Sequence, residues 1–550
     1  MKLTKGLLKV GLGFLFILLS FTSVFAKEND NITIEEWHRR SFKLQLNTDG
    51  TYYTNDTILT KNAAGTYVLN DQQLTLTSTI SDSVVQELFT VLVNKQTEKG
   101  RLSLSKDGDR ITYLTEDKNL KTSFSWDSLF RGFLGIIALV VTAFLLSKNR
   151  SRINWSIIVK GISLQIFLAF LILKVPFVER GFDFISKAFV KVIEMAHEGA
   201  LFIFSSVVTG EMHPMVMNFA TWVLPSVIFF SALTSLFYYW GILQKLVYGM
   251  AWVMKRLMNL SGAESISAAG NVFLGQTEAP LLVKPYLNKM TNSEILCLMT
   301  GGMATIAGGV LAAYIGFLGG DDPQQQVFFA KHLLTASLMS APAAIVFSKI
   351  ILPETEQVNT DLRIPKDKLG VNALEAIANG TTDGLRLAVN VAAMLIVFIS
   401  LIALVNYGIG KIGHYTGLNE IIAAKSDSYT ELSFQYIVGY ILAPFAWLMG
   451  TPWQDATIIG QLLGEKTIIN EFVAYPHLAE LQDELTQKSV IIGTYVLCGF
   501  SNFSSIGIQV GGIGALAPEK RSVLARYGFV SMIAGTLACM LTATLVGMLY

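Results

Sequence analysis

The sequence is short of charge. Only 15% of its 550 residues are Asp, Glu, Lys or Arg, whereas 52% are hydrophobic. Soluble globular proteins carry about a quarter charged residues, so this deficit indicates an integral membrane protein. The formal net charge is +1, which argues against nucleic acid or any other partner recognised by bulk charge.

Cysteine and histidine are also scarce. The three cysteines, Cys297, Cys498 and Cys539, all lie in apolar stretches, so no disulfide framework is predicted. The six histidines show no metal-ligand spacing, so we expect no histidine-based metal site and no cofactor.

The N-terminus has the pattern of a secretory signal peptide. Lys2 and Lys5 precede an apolar run over 7–21, and Val24-Phe25-Ala26 supplies small residues at the offsets that cleavage after Ala26 requires. An uncleaved signal anchor is the alternative. Either way, the segment that follows is expected outside the cytoplasm, in the periplasm.

Residues 27–123 form the second predicted region, a small all-β domain. Apolar residues alternate with polar ones, for example at Phe42, Leu44 and Leu46, which is typical of strands buried on one face. Turn signals such as Asp107-Gly108 separate these runs. We expect a meander of about six or seven short strands, curled into a half-barrel or sandwich. It contains no cluster of catalytic residue types.

Residues 124–550 are predicted to be an all-α, multi-pass membrane domain with about eight spans of about 20 apolar residues each. Lysine and arginine cluster after the odd-numbered spans, which places those loops in the cytoplasm and the N-terminus outside. Residues 180–206 are expected to form an amphipathic interfacial helix followed by a short apolar segment. The predicted spans are 129–147, 154–174, 220–243, 294–318, 327–351, 386–410, 487–512 and 524–549.

Two segments depart from the pattern of simple spans. Gly270–Pro280 and Gly450–Pro476 are short and contain glycine and proline, and Glu278 and Glu471 lie in them without an arginine beside them. Non-helical backbone at membrane depth is tolerated where it lines a cavity, so we predict two re-entrant hairpins. A single glutamate is equally compatible with an interfacial position, but two in matching segments favour a shared polar cavity.

A glycine-rich span follows each hairpin, and this order is typical of inverted-repeat secondary transporters. Close helix packing is the alternative explanation for the glycines, but it does not explain the carboxylates. Lys284 and Lys466 lie near the hairpins and are expected at their water-facing bases.

The residue types of these segments suit a neutral, polyhydroxylated and partly planar solute. Carboxylates and amides bind hydroxyl groups, and no arginine is present to bind an anionic substrate. By this chemistry, sugars and nucleosides both remain open. The residues concerned are Gln276, Thr277, Glu278, Glu471, Asn502 and Ser505, with Phe500 adjacent.

Three motifs resemble the concentrative nucleoside transporter family. Gly270 to Pro285 resembles the first re-entrant hairpin of that family, and Asn470 to Tyr475 and Gly499 to Gly507 resemble its second hairpin and the following helix. The similarity runs from about 124 to 550 and includes Asn154-Trp155, whereas the β domain lies outside it. The resemblance implies a homotrimer in the cell membrane that imports nucleosides by alternating access.

The resemblance also implies roles for individual residues. Those that would lie around the nucleobase are Gln276, Thr277, Glu278, Val310 and Phe500. Those that would hold the ribose hydroxyls are Glu471, Asn502 and Ser505. A coupling sodium ion would be bound by side chains of Asn271 and Thr305 and by the backbone carbonyls of Leu274 and Ile306. Proton coupling through Glu278 or Glu471 is the alternative.

Other functions compete with a cation-coupled nucleoside carrier. A carrier for sugars or another neutral polar solute has similar chemical requirements. A receptor that binds its ligand through the β domain would need an output domain, and the sequence shows none inside. A membrane enzyme is disfavoured, because no nucleophile–base pairing is visible at the polar segments.

Overall fold

The computed structural model describes the strands of the N-terminal region and most of the chain from Trp126 to Tyr550. The predicted signal peptide lies outside the described residues. In the C-terminal region the segments outside the description are 206–220, 222–223, 321, 363–369 and 426–428. The chain divides into two compact units: one holds the strands together with Glu480–Val490, and the other holds Trp126–Ala479 and Ile491–Leu549.

The strand unit is an eight-stranded antiparallel barrel. Each strand pairs with the next one along the chain, and β1 pairs with β8 to close the sheet. The expectation of six or seven strands in a half-barrel or sandwich therefore differs from the structure, and closure pairs the edge strands, whose backbone groups would otherwise be free. The strands are β1 Glu35–Arg39, β2 Phe42–Leu46, β3 Thr51–Thr54, β4 Ala64–Leu69, β5 Gln73–Ile80, β6 Ser83–Val93, β7 Arg101–Lys106 and β8 Asp109–Thr115.

Alternating burial explains how the barrel is filled. In β3, Tyr52 is buried whereas Tyr53 is 50% exposed. In β5, Leu74 and Leu76 are fully buried. The period of two places one face of each of these strands inside the barrel, as the sequence pattern predicts.

The helical unit contains the following α-helices, numbered in chain order among the described residues. They are α1 Trp126–Leu145, α2 Trp155–Lys174, α3 Pro176–Phe204, α4 Leu224–Tyr239, α5 Ile242–Met258, α6 Gly262–Asn271, α7 Asn292–Ala304, α8 Gly308–Gly319, α9 Pro323–Ile351, α10 Ala373–Thr416, α11 Leu418–Lys425, α12 Phe434–Leu448, α13 Trp453–Ile468, α14 Glu471–Glu480, α15 Gln487–Leu497, α16 Phe503–Leu516 and α17 Arg521–Leu549. Short 3-10 turns lie at Arg150–Arg152, Ala279–Val283, Leu287–Lys289, Leu481–Asp483 and Pro518–Lys520.

Among the described residues, five helical segments are long and apolar enough to cross a membrane: α1, α2, α7 together with α8, α9, and α17. Two further pairs meet this requirement only together, because α4 and α5 are bent by 76° and α12 and α13 by 116°. This gives up to seven spans by length and composition, compared with about eight expected from the sequence. The predicted span 487–512 is interrupted between α15 and α16, and the span 386–410 lies within the 44-residue helix α10.

The amphipathic segment predicted at 180–206 belongs to the 29-residue helix α3. Phe177 and Phe202 on this helix are more than four-fifths exposed. Ion pairs attach the start of the helix to α9, because Lys331 lies 3.0 Å from Glu179 and 3.1 Å from Asp183.

The same order of elements occurs twice. In the first repeat, α6 is followed by a break, two 3-10 turns, α7, a second break, α8 and the long helix α9. In the second repeat, α13 is followed by a break, α14, a 3-10 turn, α15, a second break, α16, a further 3-10 turn and the long helix α17. Glu278 is the last residue of the first break in its repeat, immediately before a 3-10 turn, and Glu471 directly follows the first break in its repeat, at the start of α14.

The base of the first repeat is held by caps and a buried ion pair. Ser261 with Glu264 forms a capping box at the start of α6. Lys349 of α9 forms an ion pair with the same Glu264, and its ammonium group donates to Ser293 Oγ at 2.8 Å. A lysine that is only 4% exposed requires such partners.

The bend between α12 and α13 is stabilised by a glycine in a left-handed conformation and by a hydrogen bond from Arg131. Gly450 has φ +109°, a left-handed conformation that favours glycine. The guanidinium of Arg131 donates to the Gly450 carbonyl oxygen at 2.6 Å and lies 5.5 Å from the centre of the Trp447 ring. The carbonyl groups left free by the bend therefore receive a charged donor from α1.

Candidate functional site

Glu471 is the carboxylate at the centre of the second repeat, and it is buried. Its Oε1 accepts a hydrogen bond from Tyr314 Oη at 3.1 Å, and its Oε2 accepts one from Asn502 Nδ2 at 2.9 Å. Tyr314 stacks on Tyr475 with the ring centres 4.2 Å apart. The carboxylate is thus held between α8 of the first repeat and the start of α16.

Asn502 and Ser505 take their positions from the start of α16. Asn502 is the N-cap residue, and its Oδ1 accepts hydrogen bonds from Ser505 N at 2.9 Å and from Ser504 Oγ at 2.7 Å. Capping fixes the Asn502 oxygen toward the helix, so its Nδ2 is free to donate to Glu471. The local helix start therefore sets the orientation of the polar group.

Gln276 joins the first repeat to this cluster. Its Nε2 donates to Ser505 Oγ at 3.1 Å, and its Oε1 accepts from Gln509 Nε2 at 3.1 Å. Gln509 Nε2 also donates to the backbone carbonyl of Met299, at 3.1 Å. Hydrogen bonds thus run without interruption from Met299 in α7 through Gln276 to Ser505 and Glu471.

Thr277 and Glu278 follow Gln276 in the first break, and both residues are exposed. Glu278 Oε2 accepts a hydrogen bond from Gly275 N at 2.6 Å, which closes the turn on itself. Thr277 lies against α16, because a Cβ added at Gly512 would be 3.3 Å from Thr277 Cγ2. The accessible carboxylate and hydroxyl are available to a ligand at the edge of the buried cluster.

The four predicted sodium ligands belong to two segments that meet. Asn271 ends α6 and is buried, and neither its Oδ1 nor its Nδ2 has a hydrogen-bond partner among the described residues. A Cβ added at Gly301 would be 2.8 Å from Asn271 Nδ2, and Gly301 O accepts from Thr305 Oγ1 at 2.9 Å. Gly308 N donates to Phe273 O at 3.2 Å, which ties the first break to the break between α7 and α8.

The buried amide of Asn271 fits a cation better than it fits the protein alone. An unsatisfied buried polar group costs about 1–3 kcal/mol, and a bound ion would recover this for the amide oxygen. Thr305 keeps its oxygen lone pairs, because its hydroxyl acts as the donor to Gly301. Leu274 and Ile306 are both buried, in the first break and in the break after α7.

The two helix breaks pack on each other. Gly499 has φ +139°, and a Cβ at this position would be 2.8 Å from Ala304 O and from Cys539 Sγ. Phe500 lies in this second break and is buried. A residue other than glycine at 499 would therefore separate the break of the second repeat from that of the first.

The structure unites most of the predicted substrate residues. Glu471, Asn502, Ser505 and Gln276 form one hydrogen-bonded cluster, with Thr277 against α16. Val310 is buried in α8, two residues after that helix begins, and the hydrogen bonds of the cluster do not include it.

The position of Lys466 differs from the one expected from the sequence. It is fully buried and donates to the Val496 carbonyl oxygen at 2.9 Å, whereas the sequence placed it at a water-facing base. Its long side chain reaches a free helix carbonyl, which a sequence pattern does not reveal. Lys284 is exposed, as expected.

Two residues of the cluster were missed by the sequence reasoning, Tyr314 and Gln509. Gln509 follows Ser505 by four residues and Asn502 by seven, so all three lie on one face of the otherwise apolar helix α16. That polar stripe was a usable signal. Tyr314 stands in an apolar run, and only the fold brings it to Glu471.

Comparison with known proteins agrees with this architecture. Three family profiles match: "Na+ dependent nucleoside transporter N-terminus" over 134–207, "Nucleoside recognition" over 220–321, and "Na+ dependent nucleoside transporter C-terminus" over 332–547. An uncharacterized transporter of Haemophilus influenzae is 40% identical over 430 residues, covering 76% of this chain and 98% of that protein.

Sodium/nucleoside cotransporter 1 of Rattus norvegicus is 35% identical over 441 residues, covering 76% of this chain but only 63% of the rat protein. Solved structures of CNTnw in an inward-facing substrate-bound state and in an outward-facing state match with TM-score 0.69 and 34% identity. Each covers 77% of this chain and 98% of the solved chain. The chain is therefore a multi-pass membrane transporter rather than an enzyme, and it belongs to the concentrative, Na+ dependent nucleoside transporter family.

Proposed function

We propose that this protein is a sodium:nucleoside symporter that imports nucleosides by alternating access. The observation that carries the proposal is the cluster from Gln276 to Glu471, which joins the two repeats through neutral amides, hydroxyls and one buried carboxylate. The family and the name of the rat cotransporter support nucleoside as substrate and sodium as coupling ion.

The substrate lies, in this proposal, between the first break and the start of α16. Ribose hydroxyls donate to Glu471 and contact Asn502 and Ser505, because a buried carboxylate with two donors still has lone pairs to offer. The residues around the nucleobase are Gln276, Thr277, Glu278, Val310 and Phe500. Free ribose lacks the planar part, so competition by uridine but not by ribose separates a nucleoside carrier from a sugar carrier.

Sodium is bound, in this proposal, by Asn271 and Thr305 side chains and by the carbonyls of Leu274 and Ile306. The two unpartnered polar atoms of Asn271 support this assignment. A neutral set of oxygen ligands suits a monovalent cation better than a divalent one. Coupling to protons through Glu278 or Glu471 is the competing possibility, which a sodium-free uptake assay at fixed pH distinguishes.

Alternating access requires elements that move between two arrangements. The repeated order of elements supports an inverted repeat with two re-entrant hairpins, the first around α6 and the second around α13 and α14. The relative CNTnw has been solved facing inward and facing outward. We assign the same cycle to this chain, with the substrate at the interface between the repeats.

We propose that the carrier is a homotrimer in the lipid bilayer, as the family resemblance implies, and the long helix α10 offers a surface for such contacts. Many of its large apolar side chains are exposed in a single chain, which suits contact with lipid or with further copies of the chain.

We place the carrier in the inner or plasma membrane, with residues 1–26 as a signal peptide, 27–123 as a periplasmic domain and 124–550 as the transport domain. Uptake that survives removal of 27–123 would exclude a receptor mechanism.

Substitution of the ribose site tests the proposal. Glu471→Ala and Asn502→Ala should each lower uridine uptake into proteoliposomes strongly, because each removes a polar group that ribose needs. Asn372→Ala serves as a control, since Asn372 caps α10 far along the chain from the cluster. Normal uridine uptake by both site variants would show that the ribose site is placed wrongly.

A further inference from the structure

Four groups in the cluster form a chain of hydrogen bonds whose direction is fixed at one end. The Met299 carbonyl accepts from Gln509 Nε2, Gln276 Oε1 accepts from the same nitrogen, and Gln276 Nε2 donates to Ser505 Oγ. All three distances are 3.1 Å. Gln276, Gln509 and Ser505 are all buried, so water does not replace these partners readily.

The Met299 carbonyl sets the direction because it has no hydrogen to donate. The amide group of Gln509 that faces it must therefore be the nitrogen, and the same nitrogen then presents its second hydrogen to Gln276. Gln276 must therefore accept this hydrogen bond through its Oε1, and its Nε2 then faces Ser505. A reversed Gln509 would place its oxygen against the Met299 oxygen.

The other end of Gln509 is consistent with this direction. Gln509 Oε1 is buried and has no hydrogen-bond partner among the described residues. The orientation of the Gln509 amide is therefore set by the two acceptors that its nitrogen contacts, Gln276 Oε1 and the Met299 carbonyl oxygen, and not by a partner of its oxygen. Gly302 makes the close approach possible, because a Cβ there would lie 2.7 Å from Gln509 Nε2 and 2.9 Å from Gln276 Cβ.

This direction decides what the cluster offers to a ligand. Ser505 Oγ accepts from Gln276, so the Ser505 hydroxyl hydrogen remains free to donate. Gln276 Nε2 uses one hydrogen on Ser505 and keeps the other. If the hydrogen bonds ran in the opposite direction, the Ser505 hydroxyl would donate to Gln276 Oε1. Its oxygen could then only accept a hydrogen bond from a ligand.

We propose that Gln509 is a positioning residue that fixes the direction of this chain, so that Gln276 and Ser505 face the substrate as hydrogen-bond donors. The inference rests on the proposed function, in which Gln276 lies beside the nucleobase. In this proposal position 4 of a pyrimidine base faces Gln276, so uridine, which presents a carbonyl oxygen there, is taken up in preference to cytidine, which presents an amino group.

Gln509→Glu tests the inference with nearly the same shape. A carboxylate cannot donate to Met299 or to Gln276, so Gln276 turns its nitrogen toward position 509 and the chain reverses. The measurement is Vmax/KM for uridine and for cytidine in proteoliposomes with an inward sodium gradient. Gln509→Met, which removes both polar atoms, is the second variant. Gln435→Glu is the matched control, because Gln435 Oε1 already accepts from Asn406 Nδ2 and is not one of the hydrogen-bond partners of Gln276, which are Ser505 and Gln509.

The expected result is a change in the uridine-to-cytidine ratio rather than a uniform loss. Gln509→Glu should shift the ratio toward cytidine by at least about fivefold, mainly through KM, and Gln509→Met should shift it in the same direction by a smaller factor. Gln435→Glu should keep the wild-type ratio. Ratios within about twofold of wild type for both Gln509 variants would overturn the inference. If Gln509→Glu does not fold, Gln509→Met decides by itself. Wild-type protein without nucleoside uptake would instead refute the proposed function.

Discussion

Tyr314→Phe is the substitution that most cleanly tests the environment of Glu471. It removes one of the two side-chain hydrogen-bond donors to a buried carboxylate, the Tyr314 hydroxyl at 3.1 Å. The ring remains, so the stack on Tyr475 at 4.2 Å is preserved. Tyr475→Phe is the matched control, since Tyr475 is equally buried and its hydroxyl donates at 2.9 Å to an uncharged acceptor, the Thr494 carbonyl.

The hydroxyl groups of Tyr314 and Tyr475 are expected to contribute different amounts to the free energy of unfolding. A hydrogen bond to a charged group contributes about 1.5–3 kcal/mol, whereas one between neutral groups contributes about 0.5–1.5 kcal/mol. Tyr314→Phe should therefore lower the free energy of unfolding by about 1 kcal/mol more than Tyr475→Phe does.

Thermal unfolding of the purified protein in detergent, with and without saturating uridine, measures this difference. Without uridine, Tyr314→Phe should have the lower midpoint. With uridine, the gap should narrow, because ribose hydroxyls supply donors to Glu471 in place of the lost one. A midpoint for Tyr314→Phe equal to or above that of Tyr475→Phe would refute the assignment of Glu471 as a charged, hydrogen-bonded acceptor.

Three further predictions concern the ion site, the buried ion pair and the helix breaks. Asn271→Ala should raise the sodium concentration needed for half-maximal uridine uptake by at least about tenfold, with little loss of thermal stability, because the removed amide has no hydrogen-bond partner in the described part of the chain; unchanged sodium dependence would contradict the ion site. Lys349→Met should lower the free energy of unfolding by about 3–5 kcal/mol, since it leaves Glu264 buried without its partner, and adding Glu264→Gln should restore most of the loss. Gly499→Ala should cost on the order of 1–3 kcal/mol in thermal unfolding and reduce uptake, because its Cβ would contact Ala304 O; wild-type behaviour would mean that the breaks are not in close contact.

The residue types and their order were enough to predict which polar residues of the candidate site lie close together. Glu471, Asn502, Ser505 and Gln276 stand in glycine- and proline-broken segments of an apolar chain, where a polar side chain is costly unless it has partners or a ligand. Because the two segments occur in the same order in each half, their proximity was also predictable. The cluster in the structure includes all four.

Details that depend on three-dimensional packing were not predictable. Tyr314 and Lys466 reach their partners, Glu471 and the Val496 carbonyl, across distances in sequence that no local pattern encodes. The closure of the barrel depends on pairing between the first and last strands, and strand alternation alone does not specify it. The span count differs for a similar reason, since sharp bends such as that between α12 and α13 divide apolar runs that look continuous.

The central claim is tested most directly by uridine uptake into proteoliposomes, with an inward sodium gradient compared with choline at constant pH. The account predicts accumulation with sodium that is lost with choline and lost in Glu471→Ala. Uridine uptake that is equal in sodium and choline would contradict the ion site at Asn271 and move the coupling to protons. No uridine uptake by folded wild-type protein, together with uptake of a sugar, would contradict the nucleoside assignment itself.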